Sequence, residues 1–423
     1  MKILWLCNIM LPAIAEALGK KASNKEGWLT GLSTQLLQRG GENDITLGVC
    51  FPVGKEEEPI KGTVNGMDYF GFPEDTAAPD KYDDNMEMYL TDILEDFKPD
   101  VVHVFGTEYP HTLAMTRCIK DKNRLLIGIQ GLCALYAEGY MADLPEKVQN
   151  RFLFRDFLKQ DNIRQQQEKF RKRGAMEVEA LKNASHVTGR TDWDREGVLE
   201  MNPNLKYHFM NETLRANFYN VRWQMEECEP YSVFLSQGNY PIKGLHYVLG
   251  AMPDILKRFP ETKVYVAGDV ITAYETLKQK IKISSYGKYC LDLIREHKLQ
   301  EHVVFLGRLD SKAMCERYLK SHVFLSPSVL ENSSNSVGEA MLLGMPVISS
   351  EVGGIPSILT DKKEGLMYPC NDKSALIEAV CTMFANEEMA IQYGLRARER
   401  ALVTHDPERN YERLLEIYRG MNS

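Results

Sequence analysis

A repeated alternation of short apolar runs and longer amphipathic stretches along the 423 residues is the feature that most constrains the fold. Short apolar runs are typical of buried strands, and stretches with apolar positions three or four residues apart are typical of helices that pack on a sheet. Patterns that alternate in this way predict βαβ units on a parallel sheet. In the first half of the chain, the predicted strands are 2–7, 45–50, 101–105, 125–129 and 186–189.

A second series of the same kind begins after a looser stretch at 211–230. Its predicted strands are 232–236, 263–267, 303–306, 322–326 and 346–349. A chain of 423 residues is also long enough for two ordinary domains. We therefore expect an α/β protein with two doubly wound, Rossmann-like domains, 1–220 and 221–405, the last helix (406–423) packing back on the first. A ligand is expected in the cleft where the strand ends of the two domains face each other.

The N-terminal segment allows two interpretations. Lys2, the apolar run after it and the Ala13-Ile14-Ala15 ending resemble a weak signal peptide, but they equally fit a buried first strand followed by a loop. Asn8 and Pro12 interrupt the apolar run, which favours the strand. The nine cysteines contain no Cys-x-x-Cys spacing, and no apolar run reaches the length of a membrane span. These features predict a reducing, cytoplasmic location.

Charge and motifs exclude several classes of function. Lys and Arg total 51 against 59 Asp and Glu, so a net charge of −8 argues against a nucleic-acid binder. Neither a Gly-x-Gly-x-x-Gly after the first strand nor a P-loop is present, which argues against NAD and P-loop chemistry. Asp192-Trp193-Asp194 could hold a divalent ion, but it opens a helical pattern. Asp192 is therefore interpreted as a helix cap, and no metal site is predicted.

The most informative segment runs from 326 to 350, where a strand, a polar loop and a short helix follow one another. We expect Asn335 or Ser336 to cap this helix and Gly344 to end it in a left-handed conformation. The backbone N–H groups at such a helix start suit phosphate oxygens. Glu331 and Glu339 flank the loop and could accept hydrogen bonds from the hydroxyls of a sugar or ribose. On their own, they could equally be ordinary solvated carboxylates.

Three other strand ends support the ligand interpretation. Gly238 and Lys243 follow the strand 232–236, where a lysine can neutralise a diphosphate beside a helix start. Gly268 and Gly307 follow the next two strands, and glycine there lets a flat base approach the backbone.

These motifs together resemble the retaining glycosyltransferases of family 4, which have the GT-B fold, and the resemblance covers essentially the whole chain. It rests on the Glu-x7-Glu pair Glu331 and Glu339, on the lysine of 240–245, and on the Val-Gly-Gly-Ile-Pro segment at 352–356. It implies transfer of a hexose from a nucleotide-diphosphate sugar, by default a UDP-hexose, with retained configuration and with neither metal nor other cofactor.

The resemblance also assigns roles to residues. It implies that Glu331 contacts the transferred sugar and that Glu339 binds the ribose. The implied diphosphate contacts are Lys243 and the amides of Ser334, Asn335 and Ser336. The backbone around Arg308 and Leu309 is implied to meet the base.

Three departures from the family pattern are visible. Asn239 stands where the family commonly has an arginine, and Gly27 is the one glycine left where a first helix usually opens with two. Phe105 occupies a position that is a catalytic histidine in some relatives, so Glu108 or His111 is a candidate for that polar role. A lone histidine such as His111 is more often structural. The remaining donor candidates are Gly27, Gly238, Asn239 and Gly268.

The helical stretch 146–183 contains a basic segment, 151–173, with eight Lys or Arg against three Asp or Glu and with several interleaved phenylalanines. It suits an anionic membrane surface, and it equally suits a solvated helix that packs its aromatic residues on the domain. Membrane contact would favour a lipid-linked saccharide or glycolipid acceptor, in cell-surface polysaccharide or glycolipid synthesis, at the inner face of the plasma membrane. A GT-B-like UDP-sugar epimerase and a non-catalytic sugar-binding protein remain alternatives.

Overall fold

The computed structural model describes residues 1–20 and 27–421. The strands are β1 (Lys2–Leu6), β2 (Thr46–Gly54), β3 (Ile60–Val64), β4 (Met67–Glu74), β5 (Val101–Phe105), β6 (Leu125–Gly128), β7 (His186–Gly189), β8 (Lys206–Phe209), β9 (Glu229–Leu235), β10 (Lys263–Ala267), β11 (Val303–Gly307), β12 (Ser321–Ser326), β13 (Val347–Ser350) and β14 (Leu366–Tyr368).

The helices are α1 (Pro12–Ala17), α2 (Gly27–Asn43), α3 (Asn85–Phe97), α4 (Pro110–Cys118), α5 (Cys133–Gly139), α6 (Glu146–Gln149), α7 (Phe154–Lys159), α8 (Ile163–Lys182), α9 (Asp192–Met201), α10 (Leu245–Arg258), α11 (Leu277–Lys282), α12 (Ser285–Glu296), α13 (Ser311–Leu319), α14 (Asn335–Leu343), α15 (Ile355–Ile358), α16 (Lys373–Ala385), α17 (Glu387–Thr404) and α18 (Pro407–Met421). Within the described ranges, no helix is both long enough and apolar enough to span a bilayer.

The chain folds into two compact units. The first comprises Met1–Ala137, Lys169–Leu214 and His405–Ser423, and the second comprises Glu138–Glu168 and Arg215–Thr404. The structure differs from the predicted boundaries at 138–168, which lies in the second unit. Side chains of this segment form hydrogen bonds with the rest of the second unit. For example, Ser285 Oγ donates to Asp156 Oδ2 at 2.6 Å. Such contacts join residues more than a hundred positions apart, and a local pattern does not reveal them.

The first unit is built on a sheet with the strand order β3-β4-β2-β1-β5-β6-β7-β8 in the described part of the chain. All neighbours are parallel except β3 and β4, which are antiparallel. Residues Lys2–Leu6 form the strand favoured by the sequence, and β1 lies between β2 and β5 with Ile3–Leu6 fully buried. Strands buried on both faces read as continuous apolar runs, which is why the pattern identified them.

Helix α18 packs on this sheet through a buried polar contact. Trp5 Nε1 donates to Tyr418 Oη at 3.0 Å, and His103 Nδ1 lies 2.7 Å from the same oxygen. Burial lowers the pKa of His103 to about 3, so the ring is neutral and can share one proton with the tyrosine. Both partners of Tyr418 come from central strands, and α18 is therefore tied to the middle of the sheet.

The sheet of the second unit has the order β11-β10-β9-β12-β13-β14 over the residues described, and every pair is parallel. The first strand, β9, lies between β10 and β12. Strands β10 and β11 extend the sheet on one side of β9, and the chain then crosses to the other side, where β12, β13 and β14 follow. A crevice opens at such a reversal, outside the carboxyl ends of the strands, and it is where ligands bind in sheets of this kind. The loops after β9 and β12 are therefore the first place to look for a site.

The predicted long helix at 146–183 is wrong. The segment forms three separate helices, α6, α7 and α8, and Gln160 ends α7 in a left-handed conformation with φ of 49°. Two helix starts also differ from the predictions. Helix α9 is capped by the side chain of Thr191 rather than Asp192. The N-cap position of α14 is Ser334 rather than Asn335 or Ser336, and the Ser334 side chain makes no capping hydrogen bond. Gly344 ends α14 with φ of 74°, as predicted.

Candidate functional site

The loops after β9 and β12 bring Lys243 and Glu331 together. Lys243 lies on a short 3₁₀ turn, Pro241–Lys243, and its Nζ is 2.5 Å from Glu331 Oε1. Burial alone would lower the pKa of Lys243, but the charge of Glu331 and the hydroxyl of Tyr240 raise it above its usual range. The lysine therefore stays cationic at a strand end of the second sheet.

Gly244 allows these two loops to touch. Its φ is 70°, and a Cβ at this position would lie 1.8 Å from the carbonyl oxygen of Pro327. An L side chain would therefore be strained by the backbone angle and would also collide with the loop after β12. The close approach of the two loops thus explains why the residue after Lys243 is a glycine.

Glu331 is buried, with only 8% of its surface exposed, and its position is fixed from two sides. Ser328 Oγ donates to its Oε1 at 2.7 Å, and Gly354 N donates to its carbonyl oxygen at 3.0 Å. A Cβ on Gly353 would lie 2.0 Å from that same oxygen. The Gly-Gly pair at 353–354 therefore supports the backbone of Glu331 from behind.

Glu339 lies on α14 and forms a bidentate ion pair that the sequence did not reveal. Arg215 Nε and Nη2 donate to the two carboxylate oxygens, each at 2.6 Å. Burial raises the pKa of Glu339, and the bonds to Arg215 oppose that rise. A carboxylate oxygen has two acceptor lone pairs, so Glu339 keeps acceptor capacity for a ligand hydroxyl.

Ser334, Asn335 and Ser336 surround the start of α14. They are half-buried, whereas Val337 to Leu343 are buried, so the first turn is the accessible part of this helix. The first N–H groups of a helix have no acceptor within the helix, and they carry the positive end of its dipole. The geometry is therefore compatible with the predicted anion contacts, and those contacts stay a prediction.

Asn239 and Gly268 lie against each other at the ends of β9 and β10. A Cβ on Gly268 would be 2.7 Å from Asn239 Oδ1, and that buried oxygen has no hydrogen-bond partner among the described residues. Buried polar atoms without a partner point to a missing ligand or water. Asn239 and Asp269 also line a cavity of about 590 Å³. Packing explains the glycine at position 238, because a Cβ there would lie 2.9 Å from the Val266 side chain.

Arg308 and Leu309 follow β11 at the same end of the sheet. The Arg308 side chain is 80% exposed and pairs with Asp269, with Nε 2.5 Å from Oδ1. Leu309 is half-buried in the loop before α13. The loops after β10 and β11 are therefore neighbours. The candidate donor residues of the second unit all lie in the loops after its strands or on α14 and the residue before it.

His111 in the first unit is fully buried, and both ring nitrogens are bonded. Nδ1 lies 2.7 Å from Glu74 Oε2, and Nε2 lies 2.9 Å from Asn8 Oδ1. A histidine held in this way has no nitrogen available to a substrate. The geometry favours the structural interpretation of His111 over the catalytic one.

Glu108 differs from His111 because one of its carboxylate oxygens, Oε2, is buried without a hydrogen-bond partner in the described part of the chain. Burial raises its pKa, against the opposing effects of Arg173, His111 and Asn8. A half-buried carboxyl group with a raised pKa has the properties of a general acid or base. Of the two first-unit candidates, Glu108 fits that role better.

Two further groups complete the first unit. Gly27 is the first residue of α2, while Lys25 and Glu26 before it lie outside the described residues. Arg190 and Glu212 form a buried ion pair just after β7 and β8, and Gln130 Nε2 donates to Glu212 Oε1 at 2.7 Å. This cluster was not among the predicted site residues, although Gln130 and Arg190 follow predicted strands, as the predicted donor residues do.

The Asp192-x-Asp194 pair has a structural role. Asp194 Oδ2 accepts from the backbone N–H groups of Arg190 and Thr191, at 3.0 and 3.2 Å. Its other oxygen lies 2.5 Å from Tyr207 Oη. No group of three or more His, Cys, Asp or Glu that could hold a metal occurs in ranges 1–20 and 27–421.

Residues 220–400 match the family model described as glycosyl transferases group 1. Phosphatidyl-myo-inositol mannosyltransferase of Mycobacterium leprae is 24% identical over 162 residues, which is 38% of this chain and 39% of the relative. Alpha-maltose-1-phosphate synthase of Mycolicibacterium smegmatis is 37% identical over 107 residues, 24% of this chain and 28% of the relative. The chain thus aligns with less than half the length of these relatives. The match to the family model falls within the second unit.

Two solved structures resemble the chain over nearly its whole length. Sucrose-phosphate synthase from Thermosynechococcus elongatus has a TM-score of 0.70 at 15% identity and covers 99% of both chains. HepE from Anabaena in complex with UDP has a TM-score of 0.65 at 14% identity, covering 98% of this chain and 99% of that one. The fold is therefore GT-B, with two Rossmann-like α/β units, as predicted.

Proposed function

We propose that this protein is a retaining glycosyltransferase that moves a hexose from a nucleotide-diphosphate sugar to a lipid-linked saccharide or glycolipid. The observation that carries the proposal is the pairing of Lys243 and Glu331 at the strand ends of the second unit. The match of residues 220–400 to group 1 glycosyl transferases supports it.

The donor is proposed to bind at the carboxyl ends of the strands in the second unit. Lys243 and the N–H groups at the start of α14 would hold the diphosphate, and Glu339, oriented by Arg215, would accept from the ribose. Arg308 and Leu309 follow β11 near this edge and would flank the base. We propose a UDP-hexose, and the binding of UDP by the related fold of HepE supports that choice.

The chemistry proposed for these residues is mainly electrostatic. When the bond between the sugar and the diphosphate breaks, negative charge develops on the leaving diphosphate. Lys243 stays cationic in its buried position, so it is suited to stabilise that charge. Removing one such positioned donor typically slows a reaction by about 100- to 1,000-fold. Glu331 would orient the transferred sugar beside the lysine with which it is paired.

The acceptor is proposed to carry a lipid. The name of the Mycobacterium leprae relative describes transfer to a phosphatidylinositol, and that relative matches 38% of this chain. In the first unit, Glu108 is the proposed acid or base for the acceptor hydroxyl, because its buried Oε2 has no partner among the described residues.

Release of UDP from UDP-hexoses in the presence of a glycolipid acceptor tests the proposal. We expect Glu331→Ala to lower the turnover by at least about 100-fold while UDP still raises the melting temperature. Glu399→Ala, an exposed glutamate on α17, is the matched control and should keep full activity. Full activity of Glu331→Ala would refute the proposed site.

A further inference from the structure

The short helices α7 and α11 of the second unit pack against each other and expose a concentration of apolar side chains. Six of the twelve large hydrophobic residues that are exposed in the described chain lie on or beside them, each between 41% and 75% exposed. We call these six the apolar face: Phe152, Phe154, Phe157, Leu158, Leu277 and Ile281. Large exposed apolar patches on a protein mark surfaces that bind a partner or a membrane.

This surface differs from the basic segment expected from the sequence. The arginine-rich end of α8 does not belong to it, because residues 169–173 lie in the first unit. Phe170 there packs on Tyr136, with ring centroids 6.4 Å apart, and beneath the Arg173 guanidinium group. Helix α11, far away in the sequence, contributes instead.

Positive charge accompanies the apolar face. Leu277 and Ile281 are four residues apart and therefore share one side of α11, and the exposed residues Lys278, Lys280 and Lys282 stand beside them. Lys159 ends α7 and is also exposed. The acidic neighbours are fewer: Glu275 is exposed just before α11, Asp156 is buried, and Asp161 pairs with Arg155, with Oδ2 2.7 Å from Nη2.

We propose that the apolar face and its lysines dock on a bilayer that contains anionic lipids. Phenylalanine and leucine side chains can enter the headgroup region while lysines remain at the level of the phosphates. A second copy of this chain is the less suitable occupant, because a symmetric contact would place the same lysines opposite one another.

The docking surface borders the cavity described above. Lys278, Lys282 and Arg155 line this cavity, and so do Asn239 and Tyr240. A lipid bound at the apolar face would therefore lie next to the loop that precedes Lys243. This consequence for the acceptor rests on the proposed function, whereas the docking itself rests on the surface alone.

Co-sedimentation with vesicles tests the docking. The 423-residue protein should bind vesicles of equal parts phosphatidylcholine and phosphatidylglycerol, and it should not bind phosphatidylcholine alone. Replacing Lys278, Lys280 and Lys282 by Gln should weaken binding about fivefold per lysine, on the order of 100-fold in total. The matched control replaces three exposed lysines of the same unit, Lys298, Lys312 and Lys363, and should bind like the wild type.

The apolar contribution has its own pair of variants. Phe157→Ser with Leu158→Ser should weaken vesicle binding about tenfold or more, whereas Leu402→Ser with Val403→Ser, on exposed residues of α17, should not. Absence of binding to the anionic vesicles would overturn the inference. It would also be overturned if each control variant lost as much vesicle binding as the variant it is matched to. A dimer in light scattering that the Phe157 and Leu158 substitutions dissociate would overturn it too.

The melting-temperature shift with UDP separates this inference from the proposed function. If UDP stabilises the protein but anionic vesicles do not bind, the docking surface is refuted and the donor site stands. If vesicles bind but no nucleoside diphosphate stabilises the protein, the docking surface stands and the proposed function fails.

Discussion

Arg215 and Glu339 are the clearest case of a site residue whose setting only the structure reveals. Glu339 stood out in the sequence because it follows Glu331 at a fixed spacing beside a helix start. Arg215 lies 124 residues earlier, in a stretch without periodicity. Its bidentate contact opposes the rise in the pKa of Glu339 that burial causes, and it fixes the orientation of the carboxylate. A spacing motif can thus identify the glutamate, but not the distant arginine that orients its carboxylate.

We expect Arg215→Ala to lower the free energy of unfolding by about 3 kcal/mol, because it leaves a buried carboxylate unpaired. Glu339 has a raised pKa in the folded protein, so its protonated form is favoured there and stability falls as pH rises through that pKa. The loss in the variant should therefore be largest at neutral pH and should shrink in acid. Urea denaturation across this pH range measures it. Arg258→Ala, which breaks an exposed ion pair with Glu378, should change little at any pH.

The loop after β9 shows how an element is specified by a single residue. Pro241–Lys243 forms a 3₁₀ turn, and Gly244 ends it in the left-handed region and starts α10. Among the glycines of this loop, Gly238 is a predicted donor contact. Gly244 has a packing role, because the carbonyl oxygen of Pro327 approaches it.

Gly244→Ala should destabilise the protein by at least about 2 kcal/mol, because of the positive φ and the clash with the carbonyl oxygen of Pro327. It should also weaken UDP binding, since it moves Lys243 relative to Glu331. Gly250→Ala is the control: it lies within α10, where a Cβ meets nothing within 4 Å, and alanine should stabilise the helix by up to about 1 kcal/mol. Thermal unfolding of the two variants compares them, and equal melting temperatures would contradict this explanation of Gly244.

Helix α18 offers a second test at this scale. Tyr418→Phe removes the hydroxyl that bonds Trp5 Nε1 and His103 Nδ1, so buried polar groups lose their partner. We expect a loss of about 1–3 kcal/mol in the free energy of unfolding. Tyr393→Phe on the half-buried face of α17 should have little effect. A neutral result for Tyr418→Phe would mean that the hydrogen bonds to Tyr418 do not stabilise the packing of α18.

The sequence predicted ten of the fourteen described strands and missed β3, β4, β8 and β14, of which all but β4 lie at a sheet edge. The edge strand β11 was predicted because Val303 to Leu306 form a continuous apolar run. In the first sheet, β3 and β8 are edge strands with exposed residues, and β4 contains Gly71 and Pro73. In the second, the three-residue β14 was missed. Half-exposed or very short strands lack a continuous apolar run, so their pattern resembles a loop. The roles of the candidate site residues stay predictions, and only their places after strands with continuous apolar runs could be read from the sequence.

At the scale of the whole molecule, the average composition conceals local differences. The chain has a net charge of −8, yet α11 contains three lysines and no acidic residue. The division into units likewise departs from sequence order, because 138–168 belongs with residues after 215. The lysines of α11 are local in the sequence, but the packing of α11 on α7 and the division into units depend on contacts between distant parts of the chain.

Calorimetric titration with UDP tests the central claim, a nucleoside diphosphate site at Lys243 and the start of α14, most directly. The wild type should bind UDP, and Lys243→Met should weaken binding by at least about tenfold, because a cation that faces the diphosphate is lost. Lys298→Met, on an exposed lysine of the same unit, should bind like the wild type. Equal UDP affinity of Lys243→Met and the wild type would contradict the proposed site.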